Sequence, residues 1–427
     1  MRFEILISFI INGFVGIGYS LIATLFPILG KQINLSESLL GWIISIYSLS
    51  NFLITPFIPN LISKIGKRKS FKYSLIISSL SLISYGFFKF IYSFYIFIFL
   101  SFLIRIIHGM ASSIVGNLVL SLLISLSTPE ELTTNVGYND IVWSLGFSIG
   151  PIISSFLYHF FGFCIPFFFI GLIFYIPIYY IQYLNINNDN ANNIDNKNIK
   201  FFSFFNLEMI INFIPAIIFQ ISNSYFFPSL IYHLNSKWNL NIEKSSLFFM
   251  LTIIGYFITL QFLNKILQNC GLELTILLGQ ILIFIGAPFV YPIKILPQTI
   301  ISIIIGLFLL GASGSLICVP VIMQYGTIIS KINNLLNDST INDIASAIFN
   351  IAINSGDFIG PVFGGFVSTK YGFFYSNVYM SIIGLISSFL FFCYYSRNIM
   401  EVIKDIFNNG FNKIRYYENK NQLETLN

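Results

Sequence analysis

Long apolar runs separated by short polar breaks dominate the chain. A membrane crossing takes about 20 apolar residues for a hydrocarbon core about 30 Å thick. Runs of that length fall at 5–29, 39–61, 72–90, 95–126, 136–161 and 163–183, and again at 206–234, 246–266, 272–292, 298–327, 342–369 and 373–396. The pattern predicts twelve helical spans. The first follows Arg2, as a secretory leader would, but its apolar stretch is about twice a leader's core and lacks a small-residue cleavage site. It is expected to stay as a span.

Between the sixth and seventh spans lies the Asn-rich stretch Leu184–Lys200, with too little apolar surface to fold. A second polar stretch begins at Arg397. The expected layout is a six-helix bundle over 1–183, a cytosolic linker over 184–205, a second six-helix bundle over 206–396 and a cytosolic tail over 397–427.

Composition narrows the class. Only 9% of the residues are charged, against about 25% in soluble domains. Soluble enzymes, disordered chains and secreted disulfide scaffolds are excluded, which leaves an all-α polytopic membrane protein. The 49 Phe and 24 Tyr residues, alongside abundant Ile, Asn and Lys, reflect AT-rich coding and lipid exposure before any ligand cage. The net charge of +5 does not imply nucleic acid, because the basic residues flank the spans. With both termini and the linker in the cytosol, 15 Lys and Arg fall on that side and 6 on the other, the densest group lying between spans 2 and 3. That asymmetry predicts cytosolic termini. Cys164, Cys270, Cys318 and Cys393 stand singly, without metal-ligand or disulfide spacing. No cofactor or metal is expected. The chain has no Gly-x-Ser-x-Gly, His-Glu-x-x-His or P-loop motif, so it reads as neither an enzyme nor a nucleotide-driven pump.

One internal repeat stands out. Span 5 reads Gly146-Phe-Ser-Ile-Gly150-Pro151 and is followed by Gly162-Phe163. Span 11 reads Gly356-Asp-Phe-Ile-Gly360-Pro361 and is followed by Gly372-Phe373. Six positions match at a single offset of 210 residues, about half the chain. Parallel six-helix halves form a transporter architecture whose substrate site is expected near the membrane midplane.

These motifs resemble those of the major facilitator superfamily. Gly-x-x-x-Gly-Pro in span 5 is similar to its antiporter motif, and Arg105-Ile-Ile-His-Gly109 in span 4 to its Arg-x-x-x-Gly motif. The segment Asn60–Lys69, with Gly66, Lys67, Arg68 and Lys69, resembles its basic conformational loop. Ser63 stands where that pattern has an Asp and Pro59 where it has a Gly, so the salt-bridge latch the Asp supplies is in question. Within the superfamily the chain is most similar to the vesicular amine and polyamine transporter group, through Gly137–Phe163, Tyr225–Leu240 and Asp357–Gly365. The resemblance implies two pseudo-symmetric six-helix bundles and proton-coupled exchange of an organic cation.

Candidate site residues follow. The glycines of spans 5 and 11 lie one helical turn apart, where backbones approach closely, and the prolines permit a bend. Gly146, Gly150, Pro151, Gly356, Gly360 and Pro361 read either as a hinge or as tight packing alone. Arg105 is the one basic residue well inside a span, a placement that costs about 2.5–3.5 kcal/mol on the insertion scale. It either meets substrate or a carboxylate, or forms a buried structural ion pair. Asp140 and Asp357 are the candidates for its partner or for the proton carrier, since an intramembrane carboxylate is costly when charged and takes up a proton readily. Asp140 reads otherwise as a hydrated helix cap near the cytosolic interface. The polyamine branch carries an acid in the slot of Asp140; the offset of 210 pairs it with Asn350. Tyr138, Asn139, Trp143, Gln220, Asn223, Tyr225 and Asn354 are polar residues at depth that either line a cavity or bond between helices. His108 reads as a core residue, and His159 and His233 as helix-end residues.

Two departures bear on the substrate. Span 1 has no acid beyond Glu4, where the amine branch carries an Asp, and Phe227 precedes Pro228 where the family places an acid. The leading expectation is a monomeric, alternating-access carrier in a lipid bilayer, exchanging protons for an amine or polyamine. The alternatives are a uniporter or symporter of a sugar, amino acid or other neutral metabolite, or a transporter-like receptor without flux. Vesicular and plasma membranes are both open, and nucleic acid is not an expected partner.

Overall fold

The computed structural model describes residues 3–33, 35, 37–181, 201–240, 247–291, 299–332 and 338–409. Residues 184–200 of the Asn-rich linker and the tail beyond 409 lie outside the described residues, as do the loop lysines Lys244 and Lys294. All regular structure among the described residues is helical. The α-helices are α1 (Phe3–Gln32), α2 (Glu37–Ile54), α3 (Ile58–Ile65), α4 (Lys67–Gly86), α5 (Phe94–Leu126), α6 (Pro129–Phe161), α7 (Cys164–Ile173) and α8 (Tyr175–Ile181). They continue as α9 (Leu207–Ser224), α10 (Phe227–Trp238), α11 (Met250–Val290), α12 (Ile300–Ile332), α13 (Asp338–Tyr371) and α14 (Phe373–Asn409).

Each predicted span has a helical counterpart, with differences that local chemistry explains. Span 2 breaks into α2 and α3 around a 3₁₀ turn at Thr55–Phe57, because Pro56 has no N–H to continue the α-helical ladder. Span 7 divides at Tyr225–Phe226, just ahead of Pro228. Spans 8 and 9 are joined in α11, interrupted only at Gly271. Nine stretches among the described residues are long and apolar enough to cross a membrane, and one of them, Leu247–Val290, holds both of those spans. Large apolar side chains such as Phe99, Phe156, Phe262 and Phe389 are exposed on the helices, which suits a hydrocarbon surround.

The chain forms two compact units. The first comprises Met1–Phe205 with Ile328–Phe358, the second Asn206–Thr327 with Ile359–Asn427. In the first, α1 lies along α6 and α2 and α4 lie against α5, around a core that includes Ile22, Phe26, Phe71, Leu75, Phe97 and Phe167. A capping box starts α6: the Thr128 hydroxyl accepts from Glu131 N at 3.3 Å, and the Glu131 carboxylate accepts from Thr128 N at 3.4 Å. In the second unit α11 lies along α14, where Gln280 Nε2 donates to Ser387 Oγ at 2.8 Å and Ser381 Oγ to the Phe284 carbonyl at 2.7 Å.

Among the described residues, four glycines have positive φ: Gly66 (90°), Gly162 (80°), Gly271 (70°) and Gly372 (94°). Each stands at the junction of two consecutive spans, 2–3, 5–6, 8–9 and 11–12. At Gly162 and Gly271 ψ is −174° and 179°, a region that is essentially open to glycine alone. A one-residue reversal between long helices is therefore possible at these places without a loop. Gly162→Ala is expected to destabilise the protein by about 1–3 kcal/mol through this strain, although a Cβ there meets no atom within 4 Å. Unfolding of the purified variant in detergent measures it; an unchanged midpoint would show that the backbone relaxes freely.

Candidate functional site

The arginine of the Arg-x-x-x-Gly motif is fully buried on α5. Gly109, one turn further along, explains how its surroundings form. A Cβ there would overlap Ser50 Oγ and stand 2.7 Å from the Tyr47 carbonyl, so only glycine lets the α2 backbone come this close to α5. That approach carries the Tyr47 ring onto Arg105, with the guanidinium carbon 4.6 Å from the ring centroid. Tyr19 of α1 supplies a second ring at 5.2 Å. Cation–π contacts of this kind stabilise a desolvated cation by about 2 kcal/mol. Arg105 Nη2 donates one long hydrogen bond, 3.4 Å, to the Ile44 carbonyl, while Nε and Nη1 are buried with no hydrogen-bond partner.

Aromatic side chains extend this cluster along α6. The Tyr19 ring centroid is 4.9 Å from Tyr47, 6.2 Å from Trp143 and 5.8 Å from Phe147, and Trp143 and Phe147 stack at 5.8 Å. His108 meets Tyr47 edge to face at 5.3 Å, with its Nδ1 buried and unbonded. Asp140 is half-buried one turn ahead of Trp143, so Asp140, Trp143 and Phe147 share a face of α6. On α13, Asp343, Asn350, Asn354 and Asp357 fall at the same 3–4–7 spacing and also share a face. The carboxylate of Asp357 is close enough to act electrostatically on the Tyr19 and Tyr47 hydroxyls, as Arg105 does.

The structure therefore brings Arg105, Trp143 and Asp357 into one neighbourhood of the first unit. Tyr138 packs at the edge of the core, Asn139 takes a hydrogen bond on its carbonyl from Asn12 Nδ2 at 3.0 Å, and Asn350 Nδ2 is buried without a partner. Asn223, Gln220 and Tyr225 belong to the second unit, where the Tyr225 hydroxyl donates to Asn377 Oδ1 at 2.6 Å.

The basic segment after Gly66 holds a contact that sequence reasoning missed. Lys67 Nζ pairs with Asp343 Oδ1 at 3.0 Å and lies 3.4 Å from Ser121 Oγ, which itself donates to the same carboxylate oxygen. Both charged side chains are largely buried. The basic segment, which has Ser63 in place of an acid, thus pairs with an acid on α13. Arg68 is half-buried and Lys69 exposed.

The repeated glycines make close helix contacts. A Cβ on Gly146 would overlap the Gly13 carbonyl oxygen of α1. On Gly150 it would overlap Ser20 Oγ and lie 3.1 Å from the Ile17 carbonyl; on Gly360 it would overlap Ser224 Oγ and lie 3.1 Å from the Ile221 carbonyl. The same glycine-on-serine contact occurs in both units. Gly356 is buried, and α6 and α13 run unbroken through Pro151 and Pro361.

A family model described as Major Facilitator Superfamily matches residues 8–334. The chain belongs to the Major Facilitator Superfamily. It is thus an integral, multi-pass membrane transporter of small solutes and not an enzyme. Among this superfamily's members, MFS-type transporter SLC18B1 of Rattus norvegicus is 23% identical over 377 residues, 83% of this chain and 78% of the relative, in keeping with the resemblance to the vesicular amine group. Multidrug resistance protein 2 of Bacillus subtilis (strain 168) is 30% identical over 167 residues, 39% of each chain. Quinolone resistance protein NorA of Staphylococcus aureus (strain Mu50 / ATCC 700699) is 30% identical over 144 residues, 34% of this chain and 35% of the relative. The chain thus matches only about two fifths or less of these two relatives' length. Two solved structures share the major facilitator fold. A bacterial homologue of the iron transporter ferroportin in an outward-facing state has a TM-score of 0.73 at 15% identity, covering 93% of this chain and 100% of that one. The human organic anion transporter MFSD10 (TETRAN) has a TM-score of 0.71 at 13% identity, covering 92% and 100%.

Proposed function

We propose that this transporter is a proton-coupled antiporter of organic cations of the amine or polyamine type, working as a monomer by alternating access. The observation that carries this reading is the cluster around Arg105, where an intramembrane carboxylate, Asp357, and an intramembrane cation act on the same two tyrosines. A second carboxylate, Asp140, lies one turn from Trp143. Carboxylates in apolar surroundings alternate between holding a proton and holding a cation, which is the elementary requirement of antiport. The stacked Trp143–Phe147 pair adds faces on which an organic cation can rest. The names of the multidrug and quinolone resistance relatives support export of organic solutes. The distribution of basic residues supports cytosolic termini.

The test is uptake of labelled polyamines and monoamines into proteoliposomes with an inside-acid gradient. Uptake is expected to collapse with a protonophore. In Asp140→Asn, gradient-driven uptake is expected to fall at least about tenfold while substrate counterflow persists, as loss of a coupling group predicts. Gradient-independent uptake in the wild type, or equal loss of uptake and counterflow in the variant, would remove the assignment of Asp140.

A further inference from the structure

We infer that Arg105 is the receptor for a carboxylate on the transported solute, so that the preferred substrate is a small aromatic molecule bearing both an ammonium and a carboxylate group. This deepens the cation reading above and rests on it.

The argument starts from the hydrogens of the guanidinium. It has two bidentate edges, one formed by Nε with Nη2 and the other by Nη1 with Nη2. Nη2 has two hydrogens and spends one on the Ile44 carbonyl. Whichever it spends, the other points along an edge shared with Nε or Nη1, and both of those atoms are buried with no hydrogen-bond partner. At least one complete edge therefore has no acceptor within the protein, and a planar, two-oxygen anion matches it. Tyr19 and Tyr47 lie against the guanidinium at 5.2 Å and 4.6 Å and hold it in place without using any of its donors. Rings compensate part of the charge, but they leave N–H groups in an apolar interior without acceptors, an arrangement that proteins avoid unless something else supplies the acceptor.

The surroundings fit the rest of such a molecule. Trp143 and Phe147 stack beside Tyr19 and give an aromatic wall. Asp357 lies within electrostatic reach of the same two tyrosines, so a cation and an anion share this neighbourhood and match an amphoteric solute. A plain amine would meet the guanidinium as a like charge and leave those donors without an acceptor.

Tryptophan and tryptamine differ only in the carboxylate and serve as probes. Their uptake into proteoliposomes is measured under an inside-acid gradient and corrected for protein-free liposomes. In the wild type, tryptophan is expected to show a KM roughly tenfold to hundredfold below that of tryptamine, the difference that charge-assisted hydrogen bonds to one carboxylate produce. Arg105→Lys keeps the charge but removes the fork; it is expected to erase the difference between the probes, raising the KM for tryptophan to that for tryptamine measured in the same variant. Equal handling of the two probes by the wild type overturns the inference without recourse to any variant. So does a variant that weakens both probes alike, which is the signature of a structural arginine. Transport of tryptamine without tryptophan overturns the inference and leaves the organic-cation reading standing. Failure to carry tryptophan, tryptamine or any other ammonium-bearing solute overturns that reading, and the inference with it.

Discussion

Asp343→Ala is expected to lower the unfolding free energy of the purified transporter by about 3–5 kcal/mol, the usual effect of stranding one member of a buried ion pair. Lys67 and Asp343 are only 14% and 9% exposed, so solvent cannot take over the role of the lost partner. Ser121 turns the pair into a small network, because its hydroxyl donates to the carboxylate and also lies 3.4 Å from Lys67 Nζ. Removing the acid therefore leaves the ammonium without its counter-charge and the Ser121 hydroxyl without its acceptor. Lys67→Met combined with Asp343→Leu should recover most of the loss, since replacing a buried pair by apolar groups is often neutral or better. Denaturant or thermal unfolding in detergent, arranged as a double-mutant cycle, measures both effects. Additive single effects, or a loss below about 1 kcal/mol as for an exposed pair, would show that the contact does not hold these helices.

The second large effect belongs to the glycines of α6. Gly146→Ala places a methyl group on the Gly13 carbonyl, and the obstacle is backbone, so α1 and α6 must separate. Overpacking of this kind costs about 1–3 kcal/mol and sometimes more. Gly150→Ala differs in kind. Its main obstacle is a side chain, Ser20 Oγ, while the Ile17 carbonyl at 3.1 Å has to give by only a few tenths of an ångström. Ser20→Gly is thus expected to rescue Gly150→Ala and to do nothing for Gly146→Ala. By the same reasoning Ser224→Gly is expected to rescue Gly360→Ala. Folded yield by size-exclusion chromatography reads all of these, and rescue of Gly146→Ala by Ser20→Gly would contradict the geometry.

Most of the fold was legible because hydrocarbon imposes one rule on every span, a run of apolar residues of fixed minimum length. Breaks within spans were less visible. Pro56, Pro177 and Pro228 signal them by their missing N–H groups, Pro177 standing three residues after the α7–α8 break at Phe174. The site was legible where a residue violates the rule, as Arg105 does, and where a motif repeats. Tyr19 and Tyr47 carried no signal, since two tyrosines among 24 look like any others until the Gly109 contact brings α2 and α5 together. Asp343 falls inside the predicted span 342–369, yet an acid in the first turns of a helix is favoured there by the helix dipole alone and draws no attention. Its 3–4–7 register with Asn350, Asn354 and Asp357 was the available clue. Its partner, Lys67, is too distant in sequence for any local pattern to link them.

The four positive-φ glycines have a consequence for the ancestry of the chain. They fall at the 2–3, 5–6, 8–9 and 11–12 junctions, which is the second-to-third junction of every successive triplet of helices. A match at 210 residues makes the molecule look doubled, but this backbone signature returns twice as often. The smallest inherited piece is then three helices long, and homology within the chain is best sought by aligning quarters, including quarters that cross the membrane in opposite directions.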